Sequence, residues 1–274
     1  MKVILGQEGN DLIKDRLLSN DVFMVGRVGI SEIQAAYYYD NNKPLPSHLV
    51  SLLENIAGVY GNCMNEFCEI YLNSIKNCDM QVYWDLQSIK HQQEAIYGKY
   101  GQNQQIMENK CVEPFHFNPP WSEALKGKKV LVINPFSDSI KKQYENRDKI
   151  WPNKVLPEFE LITYKNVQSI GNIGPHKNWV ESLNIMKEEI SKIDFDVAVL
   201  GCGAYGMPLG DFIKNTLNKP SIYIGGSIQI MFGIKGNRWD SHPLISSYYN
   251  EHWVRPTSEE KPNNYLVAEG GSYW

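Results

Sequence analysis

Residues 196–240 read DVAVLGCGAYGMPLGDFIKNTLNKPSIYIGGSIQIMFGIKGNRWD, and this stretch decides the fold class. Val197 to Leu200 is a short apolar run rich in β-branched residues, the pattern of a strand covered on both faces. Gly201, Cys202, Gly203, Ala204, Tyr205 and Gly206 follow at once, and a helical pattern begins near Pro208. A second copy runs from Ser221 to Ile224 into Gly225 and Gly226, and the segment closes on Lys235, Arg238, Trp239 and Asp240. In open α/β sheets ligands bind beyond the carboxyl ends of the strands. Glycines there admit a ligand to the backbone, and helix amino termini favour anions.

The pattern extends in both directions. Upstream, Phe23 to Val28 reads as a strand and Ser31 to Tyr39 as a helix that Ser31 would cap. Apolar periodicity through Leu49 to Val59 and Phe67 to Ile75 predicts two more helices. Met80 to Trp84 is a short strand, and Gln87 to Tyr100 a polar helix. Val130 to Ile133 and Phe159 to Tyr164 read as strands, and Asp138 to Trp151 and Trp179 to Ile193 as helices. The last carries Trp179, Leu183, Met186 and Ile190 on one stripe. Strands alternating with helices imply parallel βαβ units. The expected fold is a single α/β domain over residues 1–274: Rossmann-like, a mainly parallel sheet flanked by helices, with a helical amino-terminal portion. A sub-boundary is expected near 112–127, where a stretch rich in proline and aromatics joins that portion to the βαβ half. The aromatic tail after Asp240 is expected to wrap the body of the domain.

Composition excludes several classes. The formal net charge is -4 and basic residues form no long run, so no nucleic-acid face is advertised. No apolar run approaches the roughly 18 residues that span a membrane, and the start lacks a signal-peptide pattern, so a cytoplasmic protein is expected. The cysteines, Cys63, Cys68, Cys78, Cys111 and Cys202, are odd in number and form no C-x-x-C pair. There is no G-x-x-x-x-G-K-[ST], G-x-S-x-G or H-E-x-x-H. Gly201 to Gly206 spells G-x-G-x-x-G by letter, but it lies late in the chain and no acidic residue ends the next strand, which argues against a dinucleotide site. Cys202 is not tied by motif to any histidine that would make it a nucleophile.

Four loops are expected to meet at one edge of the sheet: Gly26 to Glu32, Asn134 to Ser137, Gly201 to Tyr205, and Gly225 to Gln229. Turn chemistry alone favours such residues in any one loop; agreement among four points to a ligand. Arg27 beside two glycines would grip a diphosphate, with Glu32 holding a ribose hydroxyl, a metal or an acceptor hydroxyl. An internal Arg27–Glu32 ion pair is the alternative. Lys235, Arg238 and Asp240 would add charge near the phosphates, against the reading of a solvated basic turn. Trp239 would stack on a base or sugar, or belong to the core. The candidate catalytic residues are therefore Glu32, Arg27 and Arg238. Candidate ligand-binding residues are Gly29, Asn134, Ser137, Gly201, Gly203 and Tyr205, together with Gly225, Gly226, Gln229, Lys235, Trp239 and Asp240.

The pieces VGRVGISE (25–32), LVINPFSDSIKKQYENRDKIWP (131–152), DVAVLGCGAYGMPLGDFIK (196–214) and YIGGSIQIMFGIKGNRWD (223–240) resemble a largely uncharacterised family found near polysaccharide-synthesis genes. That family is similar in turn to the GT-D-type glycosyltransferases, whose Rossmann-like domain binds a nucleotide sugar. Their first motif resembles R-x-G-D-G-E, with an Asp-x-Glu pair serving a divalent metal and the donor diphosphate. Here Arg27, Gly29 and Glu32 match, and Ile30 stands at the aspartate. The resemblance implies transfer of a sugar from a nucleoside diphosphate donor, a UDP-sugar foremost, to a glycan or glycolipid acceptor. Any Mn2+ or Mg2+ would rest on Glu32 alone, or Lys235 and Arg238 would replace the ion. A non-catalytic nucleotide-sugar-binding module of a polysaccharide assembly complex, and another Rossmann-like enzyme such as a methyltransferase, are the competing expectations.

Overall fold

The computed structural model describes residues 2–274. Seven strands build one sheet: β1 (Met24–Gly26), β2 (Met80–Tyr83), β3 (Gln105–Glu108), β4 (Lys129–Ile133), β5 (Glu160–Tyr164), β6 (Val197–Leu200) and β7 (Ser221–Tyr223). Their order is β3-β2-β1-β7-β6-β4-β5, and every pairing is parallel. This is the α/β, Rossmann-like architecture expected from the sequence. The stretch 112–127 carries short 3-10 turns at Pro114–His116 and Trp121–Leu125, and a single sheet combines the strands on either side of it. The first half supplies β1 to β3, and β1 pairs directly with β7 from the second.

Apolar residues alternate between two cores. Leu131, Ile133, Ala198 and Leu200 face one, and Val130, Val132, Val197 and Val199 the other, as period-2 side chains on a doubly covered sheet must. The crossovers β1→β2, β2→β3, β5→β6 and β6→β7 all move toward β3. The helices they carry, including Trp179–Ile190 and Gly206–Asn215, pack in the first core. The crossover β4→β5 moves the other way, and its helix Ser137–Tyr144 packs in the second. Right-handed connections require this reversal of face. The crevice between β4 and β6, where the direction changes, is the place where such sheets bind ligands.

Several local expectations are revised. Ser31 does not cap its helix: the helix starts at Ile30 with Gly29 at the cap position, and the Ser31 hydroxyl donates instead to the Glu32 carboxylate at 2.9 Å. The expected helix Asp138 to Trp151 is broken into Ser137–Tyr144 and Arg147–Ile150 by a turn at Asn146, a residue that competes for backbone groups. A helix at Gly6–Leu18 and strand β3 carried too little apolar signal to be read. The helix buries Gly9, Asn10, Ile13 and Leu17, only two of them large and apolar, while β3 offers only Ile106 and Met107 to the core. Among the described residues no helix is long and apolar enough to cross a membrane.

The tail after Asp240 lies against the second core through Trp253, Ala268 and Trp274. Its main anchor is Glu260, 2% exposed, whose carboxylate accepts the backbone N–H groups of Asp138 at 2.9 Å and Ser139 at 3.0 Å and the Ser139 hydroxyl. The amino terminus of the helix after β4, a ready anion site in such folds, is thus closed by the chain's own carboxylate.

Candidate functional site

A cleft of about 300 Å³ runs along the carboxyl edge of the sheet, lined from Trp84 after β2 through the ends of β1, β7, β6 and β4 to Asn166 after β5. At about 4.8 Å per strand the edge beneath it measures roughly 24 Å, an elongated groove. The four loops predicted to converge all border it.

Arg27 is the best defined group in it. Its guanidinium lies over the Trp84 ring at 4.3 Å, and Nε donates to Asn109 Oδ1 at 2.9 Å. Asn109 in turn donates to Glu113 at 3.1 Å. Glu113 also accepts from the Ser227 hydroxyl at 2.7 Å and lies 3.1 Å from His116 Nε2. Burial opposes the Glu113 charge, but the hydrogen bonds from His116 and Ser227 outweigh it and hold the carboxyl below its ordinary range. Gly225, at φ +61°, is required because Arg27 Nη1 would lie 2.2 Å from any Cβ there. No carboxylate stands within ion-pair distance of Arg27, so the Arg27–Glu32 pair is not formed, and among the described residues both terminal nitrogens lack a protein acceptor. An arginine fixed on three sides with its fork open to a groove is preorganised for a bidentate anion.

Glu32 lines the same cleft but is only 8% exposed, its carboxyl folded back over Gly29 at the first turn of its helix. Burial pushes its pKa above the ordinary 4.5, against the opposing pull of Ser31 and Arg27. A carboxyl raised in the folded state contributes stability that is present below pH 4.5 and is lost as pH rises through the folded value. Glu32→Gln should therefore melt higher than the unaltered protein at pH 8, with the difference gone by pH 4; calorimetric Tm values across that range check it. Equal gaps at both ends would contradict the shift.

Around these two groups the remaining residues divide by role. Asn134 clamps the crevice between β4 and β6, donating to Gly201 O at 2.7 Å while accepting from Phe136 N–H at 2.9 Å. Gly201 lies so close that a Cβ would meet Gly225 O at 2.6 Å. Tyr205, stacked on Trp179 at 5.0 Å, and Gly203 form the wall after β6. Arg238 packs between Trp239 and Tyr273, 4.9 Å from each ring, above Gly226. Gln229 Nε2 donates to Tyr273 O at 2.9 Å, and among the described residues its buried Oε1, Trp239 Nε1 and Asn166 Oδ1 find no partner.

Three expected residues do not join the cleft. Ser137 is buried under the tail, and the helix that it begins is already capped by Glu260. Lys235 turns away and sits over the Tyr249 ring at 5.0 Å. Asp240 pairs with Arg255 and accepts from the Tyr249 hydroxyl at 3.4 Å. Conversely, Trp84, Asn109, Glu113, Glu269 and Tyr273 were not singled out by the sequence reading. Trp84 ends a predicted strand and Glu269 precedes two glycines, which are the only signals they carry.

The carboxylates lining the cleft are Glu32 and Glu269, and no three His, Cys, Asp or Glu side chains converge among the described residues. Ile30, the first residue of its helix, is 47% exposed where the resemblance expects an aspartate, and burial pushes the Glu32 carboxyl above its ordinary pKa. This donor set does not fit a divalent ion held by the protein, and among the described residues Arg27 and Arg238 are the arginines that line the cleft. No known protein family, no curated protein and no solved structure matches the chain.

Proposed function

We propose that the protein is a glycosyltransferase that moves a sugar from a nucleoside diphosphate donor, with UDP-sugars the first to test, to a glycan or glycolipid acceptor. The observation that carries this reading is Arg27: immobilised by Trp84 and Asn109, with its terminal nitrogens open to an elongated groove. Arg238 lines the same groove beside Gly226. Cleavage of the anomeric C–O bond leaves its electron pair on the diphosphate. Two preorganised cations stabilise that charge more in the transition state than in the bound donor. The Gly225–Gly226 turn keeps side chains out of the way of the phosphates, and the aromatic wall of Trp239 and Tyr273 supplies an apolar face for base or sugar.

A scan of thermal stability against UDP, GDP, CMP and their sugars, followed by detection of free nucleotide when acceptors are added, tests it. Ligand at 100 times its Kd should add about 2.7 kcal/mol. Binding with acceptor-dependent release supports the transferase. Binding without turnover makes the protein a nucleotide-sugar-binding module, and no binding contradicts both.

A further inference from the structure

A sugar transfer needs a group to take the acceptor's hydroxyl proton, and the cleft offers two carboxyls with opposite surroundings. Glu32 is sealed at the base of the groove, folded onto Gly29 and engaged by Ser31. Glu269 stands at the rim with its side chain 48% exposed. Its Oε2 accepts from the Ser272 hydroxyl at 3.1 Å and lies 3.7 Å from Arg238 Nη1.

The backbone there is unusual. Glu269 has φ +50° and leads into Gly270 at +67° and Gly271 at +82°. Of the seven non-glycine residues with positive φ among the described residues, five are asparagines, which tolerate that region. The other two are Lys154 and Glu269, and only Glu269 lines the cleft. The turn is locked from both sides: Gly271 N–H donates to Ala268 O at 2.9 Å, and Arg238 N–H donates to Ser272 O at 2.9 Å. Strain of this kind persists where surrounding contacts impose it, and it gathers at functional sites.

Resting on the transferase reading, we infer that Glu269 is the general base of the reaction. The acceptor arrives from solvent, so its hydroxyl meets the rim carboxylate and not the buried one. As the acceptor oxygen bonds to the anomeric carbon, its proton passes to Glu269; the bond from that carbon to the phosphate oxygen breaks, and the electron pair leaves with the nucleoside diphosphate beside Arg27 and Arg238. The Arg238–Glu269 contact orders the events, because a donor phosphate that takes the guanidinium releases the carboxylate for the acceptor.

The test compares the unaltered enzyme with Glu269→Gln, Glu269→Ala and Glu269→Gly. UDP is the binding probe, and a panel of UDP-sugars with alkyl glycosides measures transfer. Glu269→Gln should bind UDP within about threefold of the unaltered enzyme yet lose about 100-fold or more in kcat. Formate should restore part of the rate to Glu269→Ala, which a merely structural role would not allow. Glu269→Gly should be as inactive while melting about 2–4 °C higher, since glycine relieves the positive φ. Transfer by Glu269→Gln at the unaltered rate overturns the assignment alone. An unaltered enzyme that binds UDP but transfers nothing across the panel overturns the transferase reading and the role of Glu269 with it.

Discussion

Arg27→Ala should lower the transfer rate by about 10²–10³-fold, the loss seen when one well-placed donor to a developing anion is removed. The size follows from its preorganisation. The unaltered guanidinium is held by Trp84 at 4.3 Å and by Asn109 at 2.9 Å before any ligand arrives, so little is spent on orienting it. Arg27→Lys should recover little of the rate, because an ammonium neither forks around a phosphate nor stacks as a plane on Trp84. Arg238→Ala should cost about tenfold or more by the same physics, and less than Arg27→Ala because its guanidinium is already shared with Glu269. Steady-state kinetics with the donor found in the ligand scan would decide. Unchanged turnover in Arg27→Ala would remove the arginine from the chemistry and leave it a packing residue of the β1 loop.

Glu260→Ala should destabilise the fold by about 3 kcal/mol or more, with a fall in Tm of roughly 6–12 °C. The carboxylate accepts from Asp138 N–H, Ser139 N–H, the Ser139 hydroxyl and Thr257 N–H at 3.1 Å, and the residue is 2% exposed. Truncation strands these donors without water and opens the amino terminus of the helix after β4. The Trp274 indole, which donates to Glu260 O at 3.1 Å, ties the end of the tail to the same point. Loss of the anchor should therefore also slow turnover through misplacement of Glu269 and Tyr273. Urea unfolding of the variant measures the effect. A cost below about 1 kcal/mol would mean that the tail is held by its aromatic packing and not by Glu260.

The parallel sheet and the convergence of its four loops, three of them glycine-bearing, were legible because they are local: a β-branched run, then glycines or small polar residues, then a 3.6-residue period. Arg27, Glu32, Gly201 and Gly225 belong to such loops, and the sheet brings them together. What escaped the sequence depends on contacts between distant segments. Glu260 reaches a helix more than a hundred residues upstream, Glu113 orients Arg27 through Asn109, and Glu269 enters the cleft only because the tail folds back over β7 and β4. Ser137, Lys235 and Asp240 have the chemistry of a phosphate site, yet each is claimed by a tail residue: Glu260 over the Ser137 helix, Tyr249 under Lys235, and Arg255 on Asp240. A residue type at a strand end marks a candidate, and the rest of the chain decides whether it stays free.

The transferase proposal requires Arg27 and Arg238 to face one diphosphate across the Gly225–Gly226 turn. A crystal structure with bound UDP measures this directly. The expected result places both phosphates in the groove above Gly225 and Gly226, with Arg27 Nη1 and Nη2 on one of them and Arg238 released from Glu269. A diphosphate seated elsewhere, or a groove that stays empty at saturating UDP with the Arg238–Glu269 contact intact, would contradict it.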